Sequence, residues 1–176
     1  MDDSTIEAIA RAYHQAEKER RRIRPPSAQY PGFSIGDAYT AQRRLVALKL
    51  AEGRTLKGRK IGLTSRAMQS IVGIDKPDYG ALLDDMFYPD GGEIPVNRFI
   101  EPRLECEIAF IVGRALKGPD CTIFDVLNAT DYVVPAVEIV DGRTLREDPE
   151  TGAPRRVQDS IADNAGNAAL VMAAAR

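Results

Sequence analysis

The chain has 176 residues, of which 44% are hydrophobic and 28% charged, and its net charge is −2. That length fits one domain or a large part of one, and so small a net charge supplies no global field for nucleic acid or a membrane surface. No apolar run approaches the roughly 20 residues needed to span a bilayer, and "MDDSTIEAIA" lacks the basic-then-apolar order of a signal peptide.

The first element is a helix. Ser4 and Glu7 have capping-box spacing, and Ile6, Ile9, Ala10 and Tyr13 follow at helical intervals. The helix is predicted to run into "KERRRIRPP" and to stop at Pro25 and Pro26. The basic run there suits a solvated helix end, where cations complement the dipole, better than a phosphate site. The only histidine, His14, lies in this charged stretch. A multi-histidine zinc site within the chain is therefore excluded, and a Ser-His-Asp triad has no suitable histidine. A second helix is predicted from Ile35 to Glu52, with a Ser34–Asp37 capping box and Gly53 just past its end. Ala38, Ala41, Leu45 and Leu48 mark its inner stripe.

From residue 56 the texture changes. "LKGRKIGLTS" reads as a strand, "SRAMQSIVG" as a short helix, and "PDGG" as a turn. "RLECEIAFIVG" and "DYVVPAVEIVD" are strong strand patterns, separated by a short helix in "PDCTIFDVLNAT". A polar loop, "GRTLREDPETGAPRR", precedes the small-residue segment "VQDSIADNAGNAALVMAAAR". Helices come first and strands follow without regular alternation, so the expected class is α+β. Residues 1–55 form a helical region, and residues 56–176 a β-rich core. The closing "AALVMAAAR" has no capping or turn residue after it, so further C-terminal strands are expected to be missing. Cys106 and Cys121 are few and far apart, as in a reduced, cytoplasmic protein.

The chemistry sits in the strands. Side chains alternate across a strand, so Glu105 and Glu107 share a face, with Cβ atoms about 7 Å apart. Glu138 occupies an equally apolar strand. Three carboxylates in a buried sheet repel one another and lose hydration, which a bound divalent cation would resolve. All-oxygen ligands favour a hard ion such as Mg²⁺ or Mn²⁺. The Glu105–Glu107 pair alone also fits the wet face of a half-exposed strand; Glu138, with apolar neighbours on both sides, shifts the balance toward a metal. Lys60 shares a strand face with Gly62 and Thr64 and is a candidate proton-transfer group, although a surface lysine fits as well. Asp78 is either a second such group or a turn residue ahead of Gly80.

Taken together, "KIGLTSRAMQ", "PDYGALLDDMFYPDGGEIP", "RLECEIAF", "NATDYVVPAVEIVD" and "DSIADNAGNAALVM" resemble the hydratase/decarboxylase branch of the fumarylacetoacetate hydrolase superfamily. The likeness spans nearly the whole chain, which corresponds to about the first two thirds of a family member. It implies a mixed β-roll core behind an N-terminal helical region, and assembly into homo-oligomers. It implies Mg²⁺ or Mn²⁺ held by Glu105, Glu107 and Glu138, catalytic roles for Lys60 and Asp78, and a substrate contact at Ser160. The activity implied is metal-dependent addition of water to a 2-oxo-enoic diacid, in aromatic-compound catabolism. Decarboxylation on the same platform, or service as a non-catalytic partner of related pathway enzymes, are the alternatives. A second substrate carboxylate would need a cation, for which Arg66 and Arg143 are candidates.

Overall fold

The computed structural model describes residues 1–173. Residues 174–176, into which the closing apolar run was expected to continue, lie outside them.

Helix α1 spans Asp3–Glu19 and is capped by Asp2 rather than Ser4. The Asp2 carboxylate accepts from the Thr5 N–H at 2.8 Å and from the Ser4 hydroxyl at 2.6 Å. A carboxylate also suits the positive end of the helix dipole, so Asp2 wins over the hydroxyl two residues on. The helix ends at Arg20, in the left-handed region at φ 52°, before the prolines are reached. The chain must turn there because Ile23 joins Thr144 in a short parallel bridge. Pro26 instead opens α2 (Pro26–Gln29), where its missing N–H costs nothing.

Helix α3 (Ile35–Ala51) carries the expected capping box, with Gly53 at φ 92° just beyond its end. Ala38, Ala41 and Leu45 are buried as the spacing predicts, Leu48 is half-buried, and Gln42 and Lys49 are buried as well. Lys49 Nζ reaches Glu17 at 2.6 Å, which joins α3 to α1.

Strand β1 (Leu56–Gly62) leads through α4 (Arg66–Val72) to β2 (Asp78–Leu83), and the two strands pair antiparallel. β1 ends at Gly62 because Leu63 turns to φ 54°, so Thr64 lies beyond the strand. After β3 (Phe87–Tyr88) come β4 (Arg103–Val112), α5 (Ile123–Ala129), β5 (Thr130–Val140), α6 (Val157–Ala162) and β6 (Asn167–Met172). These strands form a mixed sheet in the order β3–β6–β5–β4, with β3 parallel to β6 and the other pairs antiparallel. The class is α+β, as expected.

Two layers of core hold this together. Ile6, Ile9 and Tyr13 of α1 and Leu45 of α3 pack on Ile161 and Ala162 of α6. Leu82 of β2 packs on Ala136 and Leu170, which lays the β1–β2 ribbon against the mixed sheet. One expectation fails here. The alternating apolar pattern of β4 reads as buried, yet Leu104 is 73% and Ile108 67% exposed. β4 is the edge of the sheet among the described residues, and burial requires a second layer that no described element supplies on that face.

Candidate metal centre

The site lies where the β1–β2 ribbon meets the β5–β4 side of the mixed sheet. Glu105 and Glu138 are direct partners in the β4–β5 ladder, so their side chains share a face. Glu107 stands two residues along β4 on that face. Carboxylate oxygens of all three lie within 4.8 Å of one another. Glu138 is buried at 2% exposure, whereas Glu105 and Glu107 are exposed. Burial raises the Glu138 carboxyl to about 6; Lys60 opposes the rise, and Glu105 and Glu107 add to it.

Lys60 comes from β1, paired with Gly80 of β2, and its Nζ lies 3.2 Å from Glu138 Oε1. This is an ion-pair distance without hydrogen-bond alignment, so Oε1 remains a buried oxygen with no hydrogen-bond donor. Asp78 opens β2 opposite Gly62, and its buried Oδ1 likewise has no hydrogen-bond donor. Burial raises the Asp78 carboxyl above its ordinary value, against the opposing Lys60 cation. A Cβ on Gly62 would collide with Asp78 Oδ1 and stand 3.3 Å from Lys60 Nζ. Glycine there keeps the lysine and the aspartate together at one uncluttered spot.

A cavity of about 750 Å³ opens over this group and is lined by Lys60, Gly62, Asp78, Glu105 and, from α6, Ser160. The expected metal, catalytic and substrate-contact residues fall on this cavity or beside it: Glu107 and Glu138 flank Glu105, and Lys60, Asp78, Glu105 and Ser160 line the wall. Arg143 does not. It is buried, its Nε donates to Asp163 Oδ1 at 2.5 Å, and its Nη2 donates to the Asp163 carbonyl at 2.8 Å. Its guanidinium holds the loop after β5 to the end of α6, and its charge is already matched. Arg66 is exposed on α4.

The donor set fits a hard divalent cation. Three carboxylates face one lysine, an excess of negative charge, and two buried carboxylate oxygens lack hydrogen-bond donors.

Sequence reasoning passed over Asn164. It is buried in the left-handed region at φ 53°, and its side chain accepts from Ala81 N–H at 2.7 Å and donates to Ala81 C=O at 2.9 Å. It thus fixes β2, and with it Asp78, against α6. Its only trace in the sequence is the pair of asparagines in "DNAGNA", polar residues in a run otherwise made of small ones.

No family model matches the chain. It is 57% identical over 172 residues to the 2-oxo-hept-4-ene-1,7-dioate hydratase of Escherichia coli, an alignment that covers 98% of this chain and 64% of the relative. It is 38% identical over 173 residues to the 2-hydroxypent-2,4-dienoate hydratase of Pseudomonas putida, covering 98% of this chain and 75% of that one. Among solved structures, it superimposes with a TM-score of 0.89 and 31% identity on the 4-oxalocrotonate decarboxylase of Pseudomonas putida G7 complexed with magnesium and adipate. That match covers 98% of this chain and 64% of the decarboxylase. The chain belongs to the hydratase/decarboxylase branch of the fumarylacetoacetate hydrolase superfamily. It spans just under two thirds of the length of the Escherichia coli relative.

Proposed function

We propose that the protein is a divalent-metal-dependent hydratase that adds water to a 2-oxo-enoic diacid of the 2-oxohept-4-ene-1,7-dioate type. The observation that carries this reading is the meeting of Glu105, Glu107 and Glu138 beside Lys60, at a cavity that Glu105, Lys60 and Asp78 line. The 57% identity to a hydratase of that substrate supports the choice of reaction.

Glu105, Glu107 and Glu138 would hold Mg²⁺ or Mn²⁺, which as a Lewis acid polarises the carbonyl of a 2-oxo acid. Around it the chain's own groups divide the work. Lys60 Nζ gives a proton to C5 and recovers one from the 2-hydroxyl as the dienol becomes the conjugated ketone. Asp78 Oδ1, buried and without a hydrogen-bond donor, accepts the proton that the attacking water gives up at C4 and returns it to C3. Ser160, half-buried on the cavity wall, orients the substrate through its hydroxyl. Gly62 leaves the space in which the reacting carbons approach both proton-transfer groups. The product is a 4-hydroxy-2-oxo acid.

The exposed apolar face of β4, with Leu104, Ile108 and Phe110, supports assembly into homo-oligomers. Two exposed free cysteines, Cys106 and Cys121, suit a reducing cytoplasm. No helix among the described residues is long and apolar enough to cross a membrane.

The test is to incubate the protein and Mg²⁺ with the 2-hydroxydienedioate, follow the product by NMR in deuterated water and trap CO₂. A 4-hydroxy-2-oxo diacid formed without CO₂ is the expected result. Stoichiometric CO₂ replaces the hydratase reading with a decarboxylase. Absence of turnover with Mg²⁺ and Mn²⁺, together with co-purification of a longer relative, replaces it with a non-catalytic partner.

A further inference from the structure

Two cations on the cavity wall, Arg155 and Arg156, have no carboxylate within ion-pair distance among the described residues, and only Arg155 also borders a second cavity. That second cavity, of about 180 Å³, adjoins the first and shares Glu105, Val140, Arg155, Ser160 and Ala165 with it. Three other arginines line this second space, and all converge on Glu101: Arg22 directly, Arg146 at 2.8 Å and Arg103 at 3.7 Å. Arg143 is matched by Asp163, and Arg24 by Asp148 and Glu150. Arg155, at the junction of the two cavities, has no carboxylate within ion-pair distance among the described residues.

The backbone that carries Arg155 is nevertheless fixed. The Arg155 N–H donates to Arg146 C=O at 2.8 Å, and the hairpin carrying it is closed by the Glu147–Pro154 bridge and by Asp148 N–H donating to Ala153 C=O at 2.8 Å. The Arg24–Asp148 ion pair ties that hairpin to the segment after α1. The guanidinium folds over Gly142, where a Cβ would stand 3.0 Å from Nη1, so a side chain at 142 would crowd it.

We propose that Arg155 receives the distal carboxylate of a dicarboxylic substrate and so sets the preference for diacids over monoacids. This rests on the reading above, in which the 2-oxo acid end lies at Glu105, Glu107 and Glu138. A guanidinium presents paired N–H donors in a planar fork that matches a carboxylate, which gives geometric selection as well as charge. Arg155 lines the same cavity as Lys60, Asp78 and Glu105, so one molecule can span both ends. Arg156 lines only the larger cavity, away from the junction, and is the rival position that the test separates from Arg155.

The test pairs binding with turnover. Calorimetric titration of the Mg²⁺-loaded protein with heptanedioate and with heptanoate should show tighter binding of the diacid. Arg155→Met should reduce that preference on the order of tenfold, the worth of one charge-assisted hydrogen-bonded pair at a wet site. In steady-state assays the diacid-to-monoacid ratio of kcat/KM should fall by a similar factor, through KM rather than kcat. Arg155→Lys should keep part of the preference, because it keeps charge but not the fork, and Arg156→Met should keep all of it. An Arg155→Met protein that retains its diacid preference overturns the proposal, as does a loss of preference in Arg156→Met instead. If the wild type turns over neither substrate but its binding preference still depends on Arg155, the hydratase reading falls and the carboxylate site stands.

Discussion

Glu105 and Glu138 face each other as direct partners across the β4–β5 ladder, yet one is exposed and the other is buried at 2% exposure. Like charges placed opposite one another in a sheet are destabilising, and here a third carboxylate, Glu107, sits on the same face. Lys60 answers only one of the three charges, so the arrangement is further stabilised when a divalent cation joins it.

The first prediction follows from that conflict. Mg²⁺ should raise the melting temperature of the wild type, by an amount equivalent to about 2.7 kcal/mol at a hundred times its Kd. Glu138→Gln keeps the shape and removes the charge. It should abolish this response and weaken Mg²⁺ by more than the roughly 10–100-fold typical of losing an outer partner of a ligand. Thermal melts with and without chelator, and titration calorimetry, check both. A Glu138→Gln protein that still responds to Mg²⁺ would remove Glu138 from the ligand set.

A second prediction separates two glycines. At Gly62 an added Cβ meets the Asp78 carboxylate and the Lys60 Nζ, both ends of side chains. At Gly80 it would stand 2.7 Å from the backbone oxygen of Asn164, which cannot step aside without moving the loop before β6. Gly62→Ala should therefore keep a near-native melting temperature and lose turnover. Gly80→Ala should lose about 1–3 kcal/mol of stability, the usual cost of overpacking. Chemical denaturation and activity assays on both proteins give the comparison. Equal loss of stability in the two would contradict the distinction.

The carboxylates were readable in advance because period-two alternation needs only local sequence: Glu105 and Glu107 must share a face once the segment is a strand. Glu138 was readable because a lone acid among valines and isoleucines is conspicuous. The role of Arg143 was not readable, since its partner Asp163 lies twenty residues away and the match is made by tertiary folding. The cap of α1 was misread between Ser4 and Asp2, both capping types within one turn, where the hydroxyls of Ser4 and Thr5 add to the claim of the Asp2 carboxylate. The exposure of β4 was hidden for a different reason. Its side-chain pattern is that of a packed strand, but burial depends on what lies over it.

A third prediction concerns pH. Burial alone would raise the Glu17 carboxyl, but Arg143 and Lys49 outweigh it and bring it down to about 2, below the ordinary 4.5. The unfolded chain then takes up its proton at about 4.5 and the folded chain at about 2. The stabilisation is complete above the ordinary value and is lost as pH falls from 4.5 toward 2. Glu17 is 34% exposed, so solvent screening holds its worth to on the order of 1 kcal/mol. Glu17→Gln should be less stable than wild type at pH 7, and the two curves should converge by about pH 2. Urea denaturation across that range measures the convergence; parallel curves would show that the carboxylate carries no such linkage.

Asn164 gives the last prediction, because its backbone and its side chain make separable contributions. Its side chain satisfies both the N–H and the C=O of Ala81, and Asn167 adds a second donor to that C=O at 2.9 Å. Removing the side chain leaves the buried Ala81 N–H without its acceptor, a loss of about 1–3 kcal/mol. The backbone at φ 53° is tolerated by asparagine and glycine, but costs alanine roughly a further 1 kcal/mol. Asn164→Ala should therefore be destabilised more than Asn164→Gly, although both lose the same hydrogen bonds. Function should not follow that order. Both substitutions free β2 from α6, and β2 carries Asp78, so both should lower kcat to a similar extent under conditions where each is fully folded. If Asn164→Gly were to recover wild-type kcat as well as stability, the clamp on Ala81 would be dispensable and Asp78 would owe its position to the other holds on β2, its pairing with Gly62 and the Gln42 bond to the Tyr79 carbonyl among them.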